Sequence, residues 1–309
     1  MSDLKDDVEI FELKTNRIRY AIFKILPLIK SLKPDIVFSG WGEISAFLSF
    51  FIPFFSKTKF ISRETNVVSE HVKRKEILFF YRFYDRYDAI IAQSDDMKND
   101  LIKNFGISEN KISKINNPVD FDLIDKKLKH KIDLPFDSPT KNVVAIGNLT
   151  YRKGFDNLLQ VFTFLKNENI KLYILGDGRD RDLLQKQKNE LGLENVFFMG
   201  NQMNPYPFLE KSDLFILSSR YEGFPNVLLE AGACGTYALA NNCPGGIDEI
   251  IQEKLNGEIF PIENKEEFAN QIKRVLNENH DSEKIRESIF TRFNKQEIIH
   301  QYEAIFDSL

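Results

Sequence analysis

The stretch "SDLFILSSRYEGFPNVLLEAGACG", Ser212 to Gly235, holds a strand, a loop and a helix in one run. Residues 213–218 are a short apolar block, of the kind buried on both faces of a parallel sheet. The loop that follows contains Gly223 and Pro225, which suit a constrained entry into a helix. A helix is expected from about Asn226 to Ala233. Its eight residues would span ~12 Å, with Glu222 at the mouth of the loop and Glu230 two turns on. Val227-Leu228-Leu229 precede Glu230 and Ala231 to Cys234 follow it. A carboxylate in such a run is costly to bury without a partner.

The same alternation continues on both sides. In the second half, 142–147 (NVVAIG), 171–176 (KLYILG), 195–200 (NVFFMG), 213–218 and 236–241 (TYALAN) read as strands, with helices over 155–165 and 180–191. In the first half the strand-like blocks are 8–13 (VEIFEL), 35–40 (DIVFSG), 59–64 (KFISRE), 89–94 (AIIAQS) and 111–117 (KISKINN). Ile18, Ala21, Ile22, Ile25, Leu26, Ile29 and Leu32 recur at helical spacing. Met97, Leu101 and Ile102 do the same after a Ser94 or Asp95 cap. Residues 121–140 are polar, hold Pro135 and Pro139, and read as an interdomain linker. The chain thus divides into a domain over 1–120, the linker, and a domain over 141–309. Both are α/β units with parallel strands under helices. Such sheets bind ligands beyond the carboxyl ends of their strands, which directs attention to the loops facing the cleft.

Composition narrows the class. Of 309 residues, 42% are apolar and 28% charged, the profile of a soluble globular protein. The net charge of −4 argues against nucleic acid as a partner. Two cysteines, Cys234 and Cys243, suit a reducing compartment rather than a disulfide framework. Four scattered histidines show no metal-ligand spacing, so no metal site is expected. The start "MSDLKDDVEIFEL" lacks a basic region followed by an apolar core and does not read as a signal peptide. The longest apolar run, 46–55 (AFLSFFIPFF), is shorter than the ~20 residues of a membrane span. Pro53 interrupts it, and it reads as a buried helix.

The strand-end loops carry the chemistry. In "GNLTYRKG", Gly147 to Gly154, Arg152 and Lys153 come just before a helix start, where backbone amides and cations together suit phosphate. In "GDGRD", Gly176 to Asp180, two glycines flank Asp177 and allow backbone to approach a ligand closely. "NNCPGGIDEII", 241–251, offers a further backbone-lined wall at Gly245 and Gly246. Along the helix after Glu222 the order is carboxylate, positive helix end, carboxylate. A nucleotide sugar matches it, with hydroxyls at both ends and diphosphate in the middle. The alternative is that Glu222 caps a loop and Glu230 pairs with a Lys or Arg.

The wording "GNLTYRKGFDNLL", "YILGDG", "SDLFILSSRYEGFPNVLLEAGACG" and "CPGGIDEII" resembles the family 4 glycosyltransferases of GT-B architecture. The resemblance covers nearly the whole chain and is strongest from Val143 to Ile262. The spacing of Glu222 and Glu230 is the family's most specific mark. The resemblance implies two Rossmann-like doubly wound domains facing a cleft, the acceptor-side domain first and the nucleotide-sugar domain second. The last helix is expected to pack back on the first domain. It also implies a retaining hexosyltransferase that needs no metal or other cofactor. "GFPNVLLEA" with "CPGG" is similar to bacterial members that use UDP donors, such as those of N-acetylhexosamines. The implied acceptor is a glycan or a polyprenyl-diphosphate-linked sugar, in cell-surface polysaccharide or glycoconjugate synthesis. Carried over residue by residue, Glu230 binds the ribose hydroxyls, Glu222 faces the donor sugar, and Lys153 with Arg152 meets the diphosphate. Gly223, Phe224, Pro225, Asn226 and Val227 line the donor with backbone. Asn148, Gly176, Gly178 and Asn201 belong to the neighbouring loops of that site. Arg63, Glu64 and Asn66 follow a strand on the acceptor side.

The chain departs from the family in three places. Asn148 stands where the family usually has an Arg, leaving Arg152 as the substitute cation. Many members have a His near Arg63 to Asn66; this chain is read as having none there, so no catalytic His is assigned. The first domain begins at what reads as a third strand, so it is expected to lack its first strands. Two alternatives follow: a truncated, inactive remnant or subunit that binds nucleotide sugar without transfer, and a UDP-sugar epimerase. An NAD dehydrogenase would need a Gly-x-Gly-x-x-Gly turn after a strand, which is absent. The segment 71–87 (HVKRKEILFFYRFYDRY) mixes basic and aromatic residues. It reads either as a helix with a buried aromatic face or as a peripheral contact with the inner membrane surface. A cytoplasmic location, on the cytoplasmic face of that membrane, is the matching expectation.

Overall fold

Two parallel sheets organise the chain. The structure, a computed structural model, describes residues 8–15, 17–130, 132–137 and 139–309. The first sheet holds β1 (Ile36–Ser39), β2 (Lys59–Arg63), β3 (Ala89–Ala92) and β4 (Ile112–Lys114), in that spatial order. The second holds β5 (Lys141–Ile146), β6 (Ile170–Leu175), β7 (Val196–Gly200), β8 (Leu214–Leu217), β9 (Ala238–Ala240) and β10 (Gly257–Ile259). Its order is β10-β9-β8-β5-β6-β7. From β5 the chain winds one way to β6 and β7, then returns to β8 on the other side of β5. The loops after β5 and β8 therefore diverge at a topological switch point, where such sheets bind ligands.

Alternation along the strands explains the layers. Val143 and Ala145 face one core with Leu158, Phe162 and Phe268, while Val144 faces the other with Phe215, Leu228 and Ile289. In the first sheet, Phe60 and Ile90 pack with Leu48, Tyr84 and Leu101. Ile61 and Ile91 face the opposite side, where the last helix, Lys295–Asp307, brings Ile298, Tyr302 and Phe306.

Several local expectations change. VEIFEL, 8–13, forms no strand; Val8, Ile10 and Phe11 are exposed. An extended segment needs a neighbour's amides and carbonyls to become a strand, and β1 pairs only with β2 among the described residues. The linker region begins with a helix, Phe121–Leu128, capped by Asp120 Oδ1 accepting from Leu123 N at 3.0 Å. Its Phe121 and Ile124 are buried in the second domain's core, an i,i+3 pair hidden among charges. The run 46–55, expected as one buried helix, spans the end of the helix Gly42–Phe51, a 3₁₀ turn, Ile52–Phe54, and Phe55, and it leaves Phe50 and Phe54 exposed. No helix among the described residues is long and apolar enough to cross a membrane. Ser94, not Asp95, caps the helix Asp95–Phe105, its Oγ accepting from Met97 N at 3.2 Å.

Candidate active site

The loop after β5 ends in a 3₁₀ turn, Tyr151–Lys153, closed by Gly154 at φ 64°. A Cβ at 154 would collide with the carbonyl of Ser218, so the loops after β5 and β8 meet backbone to backbone. This contact brings Arg152 and Lys153 to Glu222. Arg152 Nη1 lies 2.6 Å from Glu222 Oε2, and Lys153 Nζ lies 2.6 Å from Oε1. Ser219 Oγ donates to Oε1 at 2.5 Å. Glu222 is 3% exposed and Lys153 is buried with it. A buried carboxylate with a cation on each oxygen is compensated in a way a lone one is not.

Past Glu222, Gly223 fits tightly under the first domain, since a Cβ there would strike the Thr65 carbonyl. Phe224 and Pro225 are buried, Phe224 packing on Phe293 at 5.8 Å between ring centres. The helix Asn226–Ala233 has no side-chain cap. Among the described residues, no group accepts from the amides of Gly223, Phe224 and Asn226. Asn226 Oδ1 accepts from Asn117 Nδ2 of the first domain at 2.6 Å, and Val227 packs on the core.

Glu230 differs from Glu222. It is half-buried and has no ion pair among the described residues. Burial pushes its carboxyl up to about 7, against the smaller pull of Lys127. It lines a cavity of about 180 Å³ with Pro118, Asp120, Tyr206 and Asn226. Pairing of Glu230 with a Lys or Arg is therefore not what the structure shows.

The other donor-side residues divide. A Cβ at Gly176 would collide with the Gly147 carbonyl, and one at Gly178 would meet Leu149 backbone. Their close approach on the Cβ side is thus to the neighbouring loop, and both stay partly exposed. Asn148 and Asn201 are exposed on their loops.

On the facing side a cavity of about 740 Å³ is lined by Gly40 to Glu43, Glu64 to Asn66, residues 71–74 and Tyr81, with Arg179 from the second domain. Glu64 and Asn66 reach it. Arg63 does not: side chains alternate along β2, and Arg63 turns to Asn117 Oδ1 at 2.8 Å. Glu64 accepts from Tyr84 Oη and, at 3.2 Å, from Tyr81 Oη. Burial pushes its carboxyl up to about 7, though the tyrosines pull it down.

His71 was missed from sequence. It lines this cavity five residues after Asn66, its ring 6.4 Å from that of Tyr221. Burial lowers its pKa, and so does the charge of Arg152. Its proximity to Asn66 was the available signal. Tyr81 and Tyr84 were also missed; Tyr81 ends the helix Lys75–Tyr81 and Tyr84 opens the 3₁₀ turn Tyr84–Arg86, so no single helical periodicity marks them.

The pattern of the family described as "Glycosyl transferases group 1" matches residues 126–292, and that of "Glycosyltransferase Family 4" matches residues 10–123. An uncharacterised glycosyltransferase of Methanocaldococcus jannaschii is 31% identical, covering 76% of this chain and 62% of that protein. The N-acetylgalactosamine-N,N'-diacetylbacillosaminyl-diphospho-undecaprenol 4-alpha-N-acetylgalactosaminyltransferase of Campylobacter jejuni is 30% identical, covering 62% of this chain and 52% of that protein. The chain thus spans about half to two-thirds of the length of these relatives. A crystal structure of Anabaena HepE in complex with UDP matches with a TM-score of 0.78 at 18% identity, over 93% of this chain and 82% of that one, a likeness of fold. Two parallel α/β domains, the paired glutamates and the matches at both ends of the chain agree: it belongs to the group 1 glycosyl transferases, family 4, of GT-B architecture.

Proposed function

We propose that the chain is a retaining glycosyltransferase. It moves a hexose or N-acetylhexosamine from a UDP-sugar to a glycan or polyprenyl-diphosphate-linked acceptor, in cell-surface polysaccharide or glycoconjugate synthesis. One observation carries the reading. Arg152 and Lys153 converge on Glu222 beside open helix amides, and Glu230 stands two turns on without an ion-pair partner. Departure of UDP leaves negative charge on the diphosphate. Arg152, Lys153 and the amides of Gly223 and Phe224 would meet that charge in a site already built, with little reorganisation. The two cations make a resident metal unnecessary in this scheme. Ribose hydroxyls donating to Glu230 would complete a carboxyl that burial otherwise penalises. The Campylobacter jejuni relative's name describes a diphospho-undecaprenol-linked acceptor, which supports that acceptor class.

Calorimetry with UDP and turnover of a UDP-sugar panel test the proposal. Glu230→Ala is expected to weaken UDP binding about tenfold or more, the loss of one charged hydrogen-bonding group. Lys153→Ala is expected to lower kcat about 100-fold. Unchanged values in both variants would refute the site. UDP binding without sugar release would refute transfer and leave a donor-binding subunit.

We also propose work on the cytoplasmic face of the inner membrane, in peripheral contact with it. Phe23, Phe50 and Phe79 are exposed around one apolar groove of the first domain, and the exposed Phe54 lies beside Phe51 of that groove, 6.4 Å between ring centres. Arg82 lies over the Phe79 ring at 5.8 Å and Arg86 over Phe83 at 4.6 Å. Exposed rings beside cations suit an anionic lipid interface.

A further inference from the structure

We propose that Glu64 is the hydroxyl anchor of a saccharide site in the cavity of the first domain, its Oε2 accepting from an acceptor sugar's hydroxyl. The proposal rests on reading the facing cavity as the acceptor side and adds the group that would hold the acceptor there.

The argument begins with a half-used carboxyl. Glu64 is 3% exposed at the cavity floor. Its Oε1 takes both tyrosine hydroxyls. Its Oε2 takes none among the described residues and faces Gly42, where a Cβ would sit 3.3 Å from it. Any larger residue at 42 would crowd that oxygen; glycine leaves it open to the cavity. A carboxylate oxygen that no protein donor engages and that opens on a cavity is free to accept from a ligand hydroxyl. Burial pushes the carboxyl up to about 7 against the pull of the two tyrosines, and Asp100 adds to the rise.

The surroundings select the kind of donor. Lys73, Arg74 and Arg179 lie round the same cavity, outnumbering Glu43, which pairs with Arg74 at 3.7 Å. A cationic ligand would meet like charge there. A polyhydroxylated ligand, neutral at the floor and anionic toward the rim, fits both ends. The volume of about 740 Å³ suits one or two sugar rings. Tyr81 and Tyr84 act as positioning residues. They stack at 4.7 Å between ring centres, and their hydroxyls fix Oε1 so that Oε2 points outward.

The test uses the full chain loaded with UDP and a panel of probes, the methyl glycosides of glucose, galactose, N-acetylglucosamine and N-acetylgalactosamine. Binding is followed by saturation-transfer NMR. The wild type is expected to bind at least one glycoside. Glu64→Leu should weaken that binding about tenfold or more, as expected for losing a hydrogen bond to a charged group. Glu64→Gln should weaken it less, and Tyr84→Phe by an intermediate factor. UDP affinity should hold in all three variants; Glu64→Leu strands the buried Tyr81 hydroxyl and is expected to lower the melting temperature, so Glu64→Gln, which keeps an acceptor for that hydroxyl, separates sugar binding from folding. Equal glycoside binding by Glu64→Leu and wild type overturns the proposal, as does a wild type that binds no glycoside. If UDP does not bind the wild type, the donor reading fails, and the same titration on unloaded protein still judges Glu64.

Discussion

At the scale of single residues, Glu222 and Glu230 share a chemistry and differ in what surrounds them. Glu222 has a cation on each oxygen and a serine hydroxyl besides. Glu230 has none of these, and burial holds its carboxyl near 7. If ribose hydroxyls bind the ionised form, protons compete with UDP below that value. UDP affinity should therefore rise with pH up to about 7 and then level, approaching a tenfold change per unit on the acid side. The UDP phosphate also titrates in this range, so Glu230→Gln serves as the reference. The difference between the two calorimetric profiles should hold only the Glu230 contribution. Superimposable profiles would show that Glu230 does not contact the nucleotide. The spacing of the two glutamates is legible in the sequence. That one is saturated and the other open is not, since Arg152 and Lys153 lie 70 and 69 residues from Glu222.

At the scale of elements, the helix Lys75–Tyr81 works on two sides. Ile77 and Tyr81 are buried and line the cavity of the first domain. Phe79 and Phe80 point to an apolar groove with Phe23, Phe47 and Phe50. The sequence reading set a buried aromatic face against a membrane contact; the structure has both a buried tyrosine face and an exposed phenylalanine face. Phe54 is 75% exposed, so it can be replaced with little loss of packing. The double variant Phe54→Ser, Phe79→Ser is expected to bind anionic vesicles at least about tenfold more weakly, since each ring contributes roughly 1.5–3 kcal/mol when fully buried. Its UDP affinity should be unchanged. Flotation with phosphatidylglycerol vesicles measures the first quantity. A wild type that stays with the unbound fraction would end the membrane proposal.

At the scale of the whole molecule, the two domains are clasped across the base of the cleft. Asp96 Oδ2 accepts from Gly245 N at 2.7 Å and Gly246 N at 3.3 Å. Glu249 accepts from Asp95 N at 2.6 Å, Lys114 at 2.9 Å and Asn116 at 3.1 Å. Asn117 reaches Asn226 as well. These bonds join strand-end loops of the first sheet to loops of the second, so they bias the cleft toward closure. Removing both carboxylates, in Asp96→Ala with Glu249→Ala, should increase the radius of gyration measured by small-angle X-ray scattering without UDP. Addition of UDP should restore part of the difference if the donor closes the cleft. An unchanged radius would show that these bonds do not set the domain angle. The last helix resists full separation, because Tyr302 and Phe306 pack edge-on against Phe38 at 6.2 and 5.9 Å between ring centres.

The strand periodicity, the glutamate spacing and the small residues of the strand-end loops are local properties, and the two-sheet fold and its family are legible in them. The helix Phe121–Leu128 escaped because its charged residues masked a two-residue apolar contact that only the second core makes visible. VEIFEL shows the converse: alternation alone makes no strand where no sheet edge receives it. Tertiary structure alone decided that Arg63 turns from the cavity while Glu64 enters it, and that His71 joins them. It also decided that Glu222 holds two cations while Glu230 holds none. Those outcomes depend on which backbones lie side at a given strand end, and residues far apart in the chain meet there only after both sheets have formed.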